Sequence, residues 1–166
     1  VLRVYGLAMK LNDSGLANDF VIALAALLHD VDDPKISQDT HHARDFLTQF
    51  CPEVMDKVMD IIENMSFSSH QKGKSVSTLE GQIVQDADRL DALGAIGIAR
   101  TFAYSGYVKR PIYLGKQDDD SAIAHFYQKL FKLPGLLNTD PAKAMAEERI
   151  LFMKQYLDMF YKEWLD

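Results

Sequence analysis

Residues 22–35 read Ile22-Ala23-Leu24-Ala25-Ala26-Leu27-Leu28-His29-Asp30-Val31-Asp32-Asp33-Pro34-Lys35. An apolar, helix-forming run ends abruptly in an adjacent His29–Asp30 pair, with Asp32 and Asp33 directly behind it. An imidazole and a carboxylate at the end of a buried helix are costly to desolvate unless something compensates them. A divalent cation does so by accepting imidazole nitrogen and carboxylate oxygen together. A buried His hydrogen-bonded to its neighbour accounts for the pair equally well. The helical spacing of this stretch sets the expectation for the fold, and the His-Asp ending sets the question of function.

A second segment, residues 84–100, reads Val84-Gln-Asp86-Ala-Asp88-Arg89-Leu-Asp91-Ala-Leu-Gly94-Ala-Ile-Gly97-Ile-Ala-Arg100. It places three carboxylates in an otherwise apolar, small-residue helix. Residues two apart on a helix point about 200° apart, so Asp86 and Asp88 cannot both face one ion. Asp88, Asp91 and Ala95 share a face. Asp86 is then expected to anchor a neighbouring helix or the loop before its own helix.

Taken in this order, the two blocks resemble the HD-domain superfamily of metal-dependent phosphohydrolases. The pattern of that superfamily is a first His, then His-Asp, then a distant Asp on a later helix. The similarity is closest to its small single-domain bacterial branch, in which an Asp-Ala-Asp-Arg-Leu-Asp-Ala run is typical. It covers residues 1 to about 105 clearly and the C-terminal third more loosely. The resemblance implies one HD-type domain over residues 1–166, with helices at about 122–165 completing the bundle. It implies His29, Asp30 and Asp88 as ligands of a divalent ion, Mn²⁺, Mg²⁺ or similar. Asp33 matches an acidic position that assists catalysis, and Lys35 a phosphate contact. Arg3, Arg89 and Arg100 stand at recurring cationic positions that can hold substrate. Asp33 reads equally well as a surface residue beside Pro34, and Arg89 as a structural bridge to Asp86. In the family the first His directly precedes the stretch corresponding to Val1-Leu2-Arg3-Val4, so by that register it lies just upstream of Val1. The chain begins without Met and inside a helical pattern, which fits the retained part of a longer protein.

Composition narrows the partners. At 166 residues the chain suits one domain able to bury a core without staples. A single cysteine, Cys51, excludes an intramolecular disulfide and suits a reducing compartment, so a cytoplasmic protein is expected. The net charge of −6 argues against binding to polymeric nucleic acid, which needs clustered Lys and Arg. Nothing in the sequence is long and apolar enough to span a bilayer. A phosphorylated small molecule remains compatible, because a bound cation reverses the local field of an acidic cleft. Self-association is left open.

Helical periodicity dominates the remainder, and the fold is expected to be all-α. Helices are predicted over Val1–Leu11, from Asn18 or Asp19 through Leu28, over Gln38–Phe50 and over Glu53–Met65. A long one should run from a Ser77…Glu80 capping box to about Tyr104, followed by Ala122–Lys132 and Asp140–Leu165. Residues 66–77 and 105–121 read as loops, the second as a mobile excursion. His41 and His42 suit a solvated helix start, His70 an exposed loop and His125 a partly buried helix. Phe152, Met153, Tyr156, Met159 and Phe160 suit core packing.

Within the superfamily, the resemblance favours hydrolysis of a nucleoside or deoxynucleoside triphosphate to monophosphate and pyrophosphate. A nucleotide monophosphatase would use the same ligands. An alarmone hydrolase would continue as His-Asp-x-x-Glu-Asp, where this chain has Asp33-Pro34. A cyclic-dinucleotide phosphodiesterase would need a Gly-Tyr-Pro element soon after the His-Asp pair, and Gly106-Tyr107 comes too late and lacks the Pro. A non-catalytic nucleotide-binding or regulatory module is the alternative from another class.

Overall fold

The computed structural model describes residues 1–33, 41–67, 73, 75–117 and 119–165. Among them are eight α-helices and no strand. They form two compact units, Val1–Asp88 and Arg89–Asp166, whose boundary falls inside one continuous helix.

The first unit opens with α1 (Leu2–Leu11) and α2 (Asp19–Leu28), which pack against each other. Buried Val4, Ala8 and Leu11 on α1 recur at helical spacing, as do Val21, Ile22, Ala25 and Ala26 on α2. Asn12 ends α1. Its side-chain amide donates to the Ala17 carbonyl at 3.0 Å and to Asp19 at 2.7 Å, and its oxygen accepts from the Ala17 N–H at 3.2 Å. One buried residue thus satisfies the turn between the two helices. Asn18 then caps α2, its oxygen accepting from the N–H groups of Phe20 and Val21.

Two further helices, α3 (His42–Phe50) and α4 (Met55–Asn64), are joined by a short 3₁₀ turn at Pro52–Val54. Helix α3 packs on α4, and α4 packs on α2. The predicted start of α3 at Gln38 lies outside the described residues. The predicted Glu53 start of α4 is replaced by that 3₁₀ turn, since Pro52 supplies a fixed φ but no N–H.

Helix α5 (Leu79–Asp91) is buried almost all round, which is why it shows no clear apolar stripe in the sequence. Its cap is Thr78, whose hydroxyl accepts from the Gly81 N–H at 3.1 Å. The predicted Ser77…Glu80 box does not form, because Glu80 instead accepts the Asn18 N–H at 2.9 Å. Gln85 donates to the Met65 carbonyl at 2.9 Å and so ties α5 to the end of α4.

The long helix predicted to reach Tyr104 is two helices. After Asp91 the chain turns, and α6 (Gly94–Tyr107) begins on Gly94 with φ +73°. A Cβ on Gly97 would lie 2.1 Å from the Ala92 carbonyl oxygen, so the break is held by a backbone approach open only to glycine.

In the second unit α7 (Ala122–Gln128) is capped by Ser121 and stops short of the predicted Lys132. A 3₁₀ stretch, Leu130–Leu136, follows and contains Pro134, which cannot continue an α-helix. Helix α8 (Asp140–Leu165) has the predicted limits and packs on α6. Of its predicted core residues, Met153 is buried, while Phe152 and Met159 face solvent. Tyr156 and Phe160 join an aromatic cluster that also holds Tyr113, Tyr161 and Trp164. Pro111 and Ile112 are tied to the start of α7, their carbonyls accepting from the Ala122 and Ile123 N–H groups. No helix among the described residues is long and apolar enough to cross a membrane.

Candidate metal centre

The last turn of α2 and the middle of α5 bring together three of the expected residues. His29 closes α2, its N–H donating to the Ala25 carbonyl at 3.0 Å. Its ring Nδ1 lies 2.9 Å from the Ala26 carbonyl oxygen. A carbonyl can only accept, so Nδ1 carries a proton, and Nε2 presents a lone pair in the neutral ring and a second N–H in the charged one. That Nε2 atom is buried and makes no aligned hydrogen bond. It stands 3.1 Å from Asp30 Oδ2 and 3.6 Å from Asp88 Oδ1. A lone pair facing two carboxylates is repulsive unless a positive charge lies between them.

The geometry can be tested against an ion. Metal–ligand bonds of about 2.0–2.2 Å place adjacent donors roughly 3.0–3.4 Å apart. The 3.1 and 3.6 Å separations are close to that spacing, and the imidazole is held by a carbonyl on its far side as in many His–metal sites. Two carboxylates and a neutral imidazole are donors suited to Mn²⁺ or Mg²⁺-like ions. Among the described residues no group of three His, Cys, Asp or Glu stands in an arrangement that could hold a metal ion as it is. The donor types and the two spacings to Nε2 suit an ion, while the three groups do not stand as a coordination set.

A proton can also fill the gap. Burial lowers the affinity of His29 for a proton, but the facing carboxylates of Asp30 and Asp88 outweigh this and raise its pKa to about 10. Either way the site demands a cation at Nε2.

Asp88 and Asp86 differ as their helical directions require. From Ile83 to Asp91 every residue is buried except Asp88, whose side chain is 37% exposed. Asp86 is wholly buried. Asp33 is half-buried in the turn after α2, its N–H donating to the Asp30 carbonyl. Arg3 is exposed on the first turn of α1. Lys35 and His70 lie outside the described residues.

The remaining two arginines belong to the second unit. Arg89 is buried and donates Nη1–H to the Leu136 carbonyl, a placement that suits holding the chain rather than contacting substrate. Arg100 is half-exposed and pairs with the buried carboxylate of Asp91. His125 is partly buried, and burial with the nearby Lys129 and Arg110 charges lowers its pKa.

Asp32, next to Asp33 in the turn after α2, serves a different helix. The Asp32 carboxylate accepts from the N–H of His42 at 3.0 Å and from that of Ala43 at 3.1 Å, and so caps α3 from ten residues upstream. No local pattern announces such a cap, because donor and acceptor are brought together only by the fold.

Comparison with known proteins identifies the family. The HD domain family model matches residues 1–93, which hold all three clustered residues. The uncharacterized protein YpgQ of Bacillus subtilis (strain 168) is 40% identical over 98% of this chain and 82% of its own length. The solved structure of YpgQ in complex with ADP superposes with a TM-score of 0.82 at 39% identity, covering 98% of this chain and 86% of that one. An HD-superfamily hydrolase from Bacillus thuringiensis gives 0.78 at 43% identity over 98% of this chain and 83% of its own. A Lactobacillus plantarum protein gives 0.85 at 40% identity, covering 99% and 85%. An all-α chain that ends its second helix in His-Asp, sets an Asp of a later helix opposite, and matches these relatives over nearly its whole length belongs to the HD domain family.

Proposed function

We propose that this chain is a divalent-metal-dependent phosphohydrolase acting on a nucleotide. Its substrate is a nucleoside or deoxynucleoside triphosphate, released as monophosphate and pyrophosphate. The observation that carries the reading is the buried Nε2 of His29, 3.1 Å from a carboxylate oxygen of Asp30 and 3.6 Å from one of Asp88. The relatives support it from two sides, one being an HD-superfamily hydrolase and another a structure holding ADP.

His29, Asp30 and Asp88 would hold the ion, Mn²⁺ or Mg²⁺. When bound, such an ion neutralises phosphoryl oxygens and makes water a better nucleophile. Asp33 orients the attacking water and accepts its proton. Lys35 and Arg3 offset charge on the phosphates, with Arg100 a further cation for the substrate. Arg89, being buried, serves the fold in this scheme.

The test is a product assay on the full-length protein with Mn²⁺, using a panel of nucleoside tri- and monophosphates. Attack at the α-phosphorus releases pyrophosphate and no free phosphate from a triphosphate. Release of phosphate from monophosphates alone would replace this reading with a nucleotide monophosphatase. Metal binding with no turnover of any nucleotide would favour a regulatory nucleotide-binding module.

A further inference from the structure

Asp32 stands between Asp30 and Asp33 in sequence, yet its side chain turns to a different helix. Each of its oxygens accepts one backbone N–H from the first turn of α3, those of His42 and Ala43. The first four N–H groups of a helix have no partner within it, and the side chain of His41, the N-cap residue of α3, makes no capping bond. A carboxylate there also meets the positive end of the helix dipole.

The turn that carries Asp30 also has short-range bonds of its own, Val31 N–H to the Leu28 carbonyl and Asp33 N–H to the Asp30 carbonyl. Asp32 joins its far end to α3, which packs on α4, which packs on α2, the helix that ends in His29. The chain of contacts therefore closes on itself, with Asp30 inside the ring. The near end is fixed by the Ala26 carbonyl on His29 Nδ1, and the far end by Asp32.

We infer that Asp32 is a positioning residue for the candidate metal centre: its two-pronged cap on α3 fixes the turn that aims the Asp30 carboxylate at His29 Nε2. The inference rests on the metal-binding reading above. Partners that orient ligands typically govern metal affinity by about 10–100-fold.

The test compares Mn²⁺ affinity, by calorimetry, with metal-free melting temperature in the wild type, Asp32→Ala, Asp32→Asn and Asn18→Ala, all as full-length protein. Asn18 caps the opposite end of α2 and touches no site residue, so Asn18→Ala reports the effect of losing a cap alone. Asp32→Ala is expected to weaken Mn²⁺ binding about tenfold or more and to expose the His42 and Ala43 amides to hydrogen exchange. Asp32→Asn keeps one accepting oxygen and should fall between, while Asn18→Ala melts lower with unchanged affinity. Wild-type affinity in Asp32→Ala overturns the inference and leaves the metal reading standing. Equal weakening in the Asn and Ala variants overturns it too, since the lost charge alone would then explain the effect. If Asp32→Ala does not fold, the Asp32→Asn affinity decides, and a wild-type value there counts against the inference. A folded wild type that binds no Mn²⁺ overturns the metal reading and this role with it.

Discussion

If His29 holds an ion as proposed, protonation and metal binding compete for one lone pair on its Nε2. In the metal-free protein the Asp30 and Asp88 carboxylates overcome burial and lift the His29 pKa from 6.5 to about 10. Because the folded value is the higher one, the stability linked to this proton is fully present below pH 6.5. It is lost as the pH climbs through 10. Between those limits the metal-free protein should lose up to about 1.4 kcal/mol per pH unit. For a chain of this size that corresponds to roughly 3–5 °C in melting temperature per unit. An ion must displace the same proton, so the affinity for Mn²⁺ should rise about tenfold per pH unit over the neutral range. The metal-free and metal-loaded proteins therefore respond to pH in opposite senses. Calorimetric titration with Mn²⁺ at pH 6.5, 7.0 and 7.5, in buffers of different ionisation enthalpy, counts the protons released. One proton per ion is expected, and His29→Gln should abolish both the release and the slope. Binding at pH 7 without proton release would refute the reasoning, as would an unchanged slope in His29→Gln.

Other expectations concern the acidic helix and the break after it. Asp88→Ala removes a part-exposed carboxylate and should abolish divalent-metal binding with near-native circular dichroism, whereas Asp86→Ala should leave binding largely intact. The buried Asp86 change should instead cost about 1–3 kcal/mol of stability in a denaturant titration, and equal loss of metal in both folded variants would sink the assignment. Gly97→Ala forces a Cβ to within 2.1 Å of the Ala92 oxygen, so the backbone must move. It should destabilise by about 3 kcal/mol or more, and a loss below about 1 kcal/mol on the same scale would show the approach to be unimportant.

Local signals carried much of this fold into the sequence, and non-local ones did not. The end of α1 at Asn12, the Asn18 cap and the full span of α8 were legible because each depends on a few adjacent residues. The break between α5 and α6 was not, since helical patterns run up to it from both sides and only Gly94 and Gly97 mark it. The choice of Thr78 over Ser77 as cap turns on Glu80 being engaged by Asn18, sixty-two residues away. At the site, helical geometry separated Asp86 from Asp88, whereas the grouping of Asp88 with His29 and Asp30 came from the resemblance to the HD-domain pattern. The burial of Arg89 was hidden, because charge suggests exposure and its acceptor, the Leu136 carbonyl, lies far along the chain.

Trp164 is the single tryptophan of the chain, and its indole stands 5.6 Å from the ring of Tyr113 and 5.4 Å from that of Phe160. All three belong to the second unit, while the clustered His29, Asp30 and Asp88 belong to the first. The intrinsic emission of this protein is therefore a local signal. It follows the packing of residues around Tyr113 against the last turns of α8, through tyrosine-to-tryptophan energy transfer and the indole's half-wet surroundings. Melting curves taken by fluorescence and by helical circular dichroism will coincide only if the two units unfold together, so their comparison measures cooperativity directly.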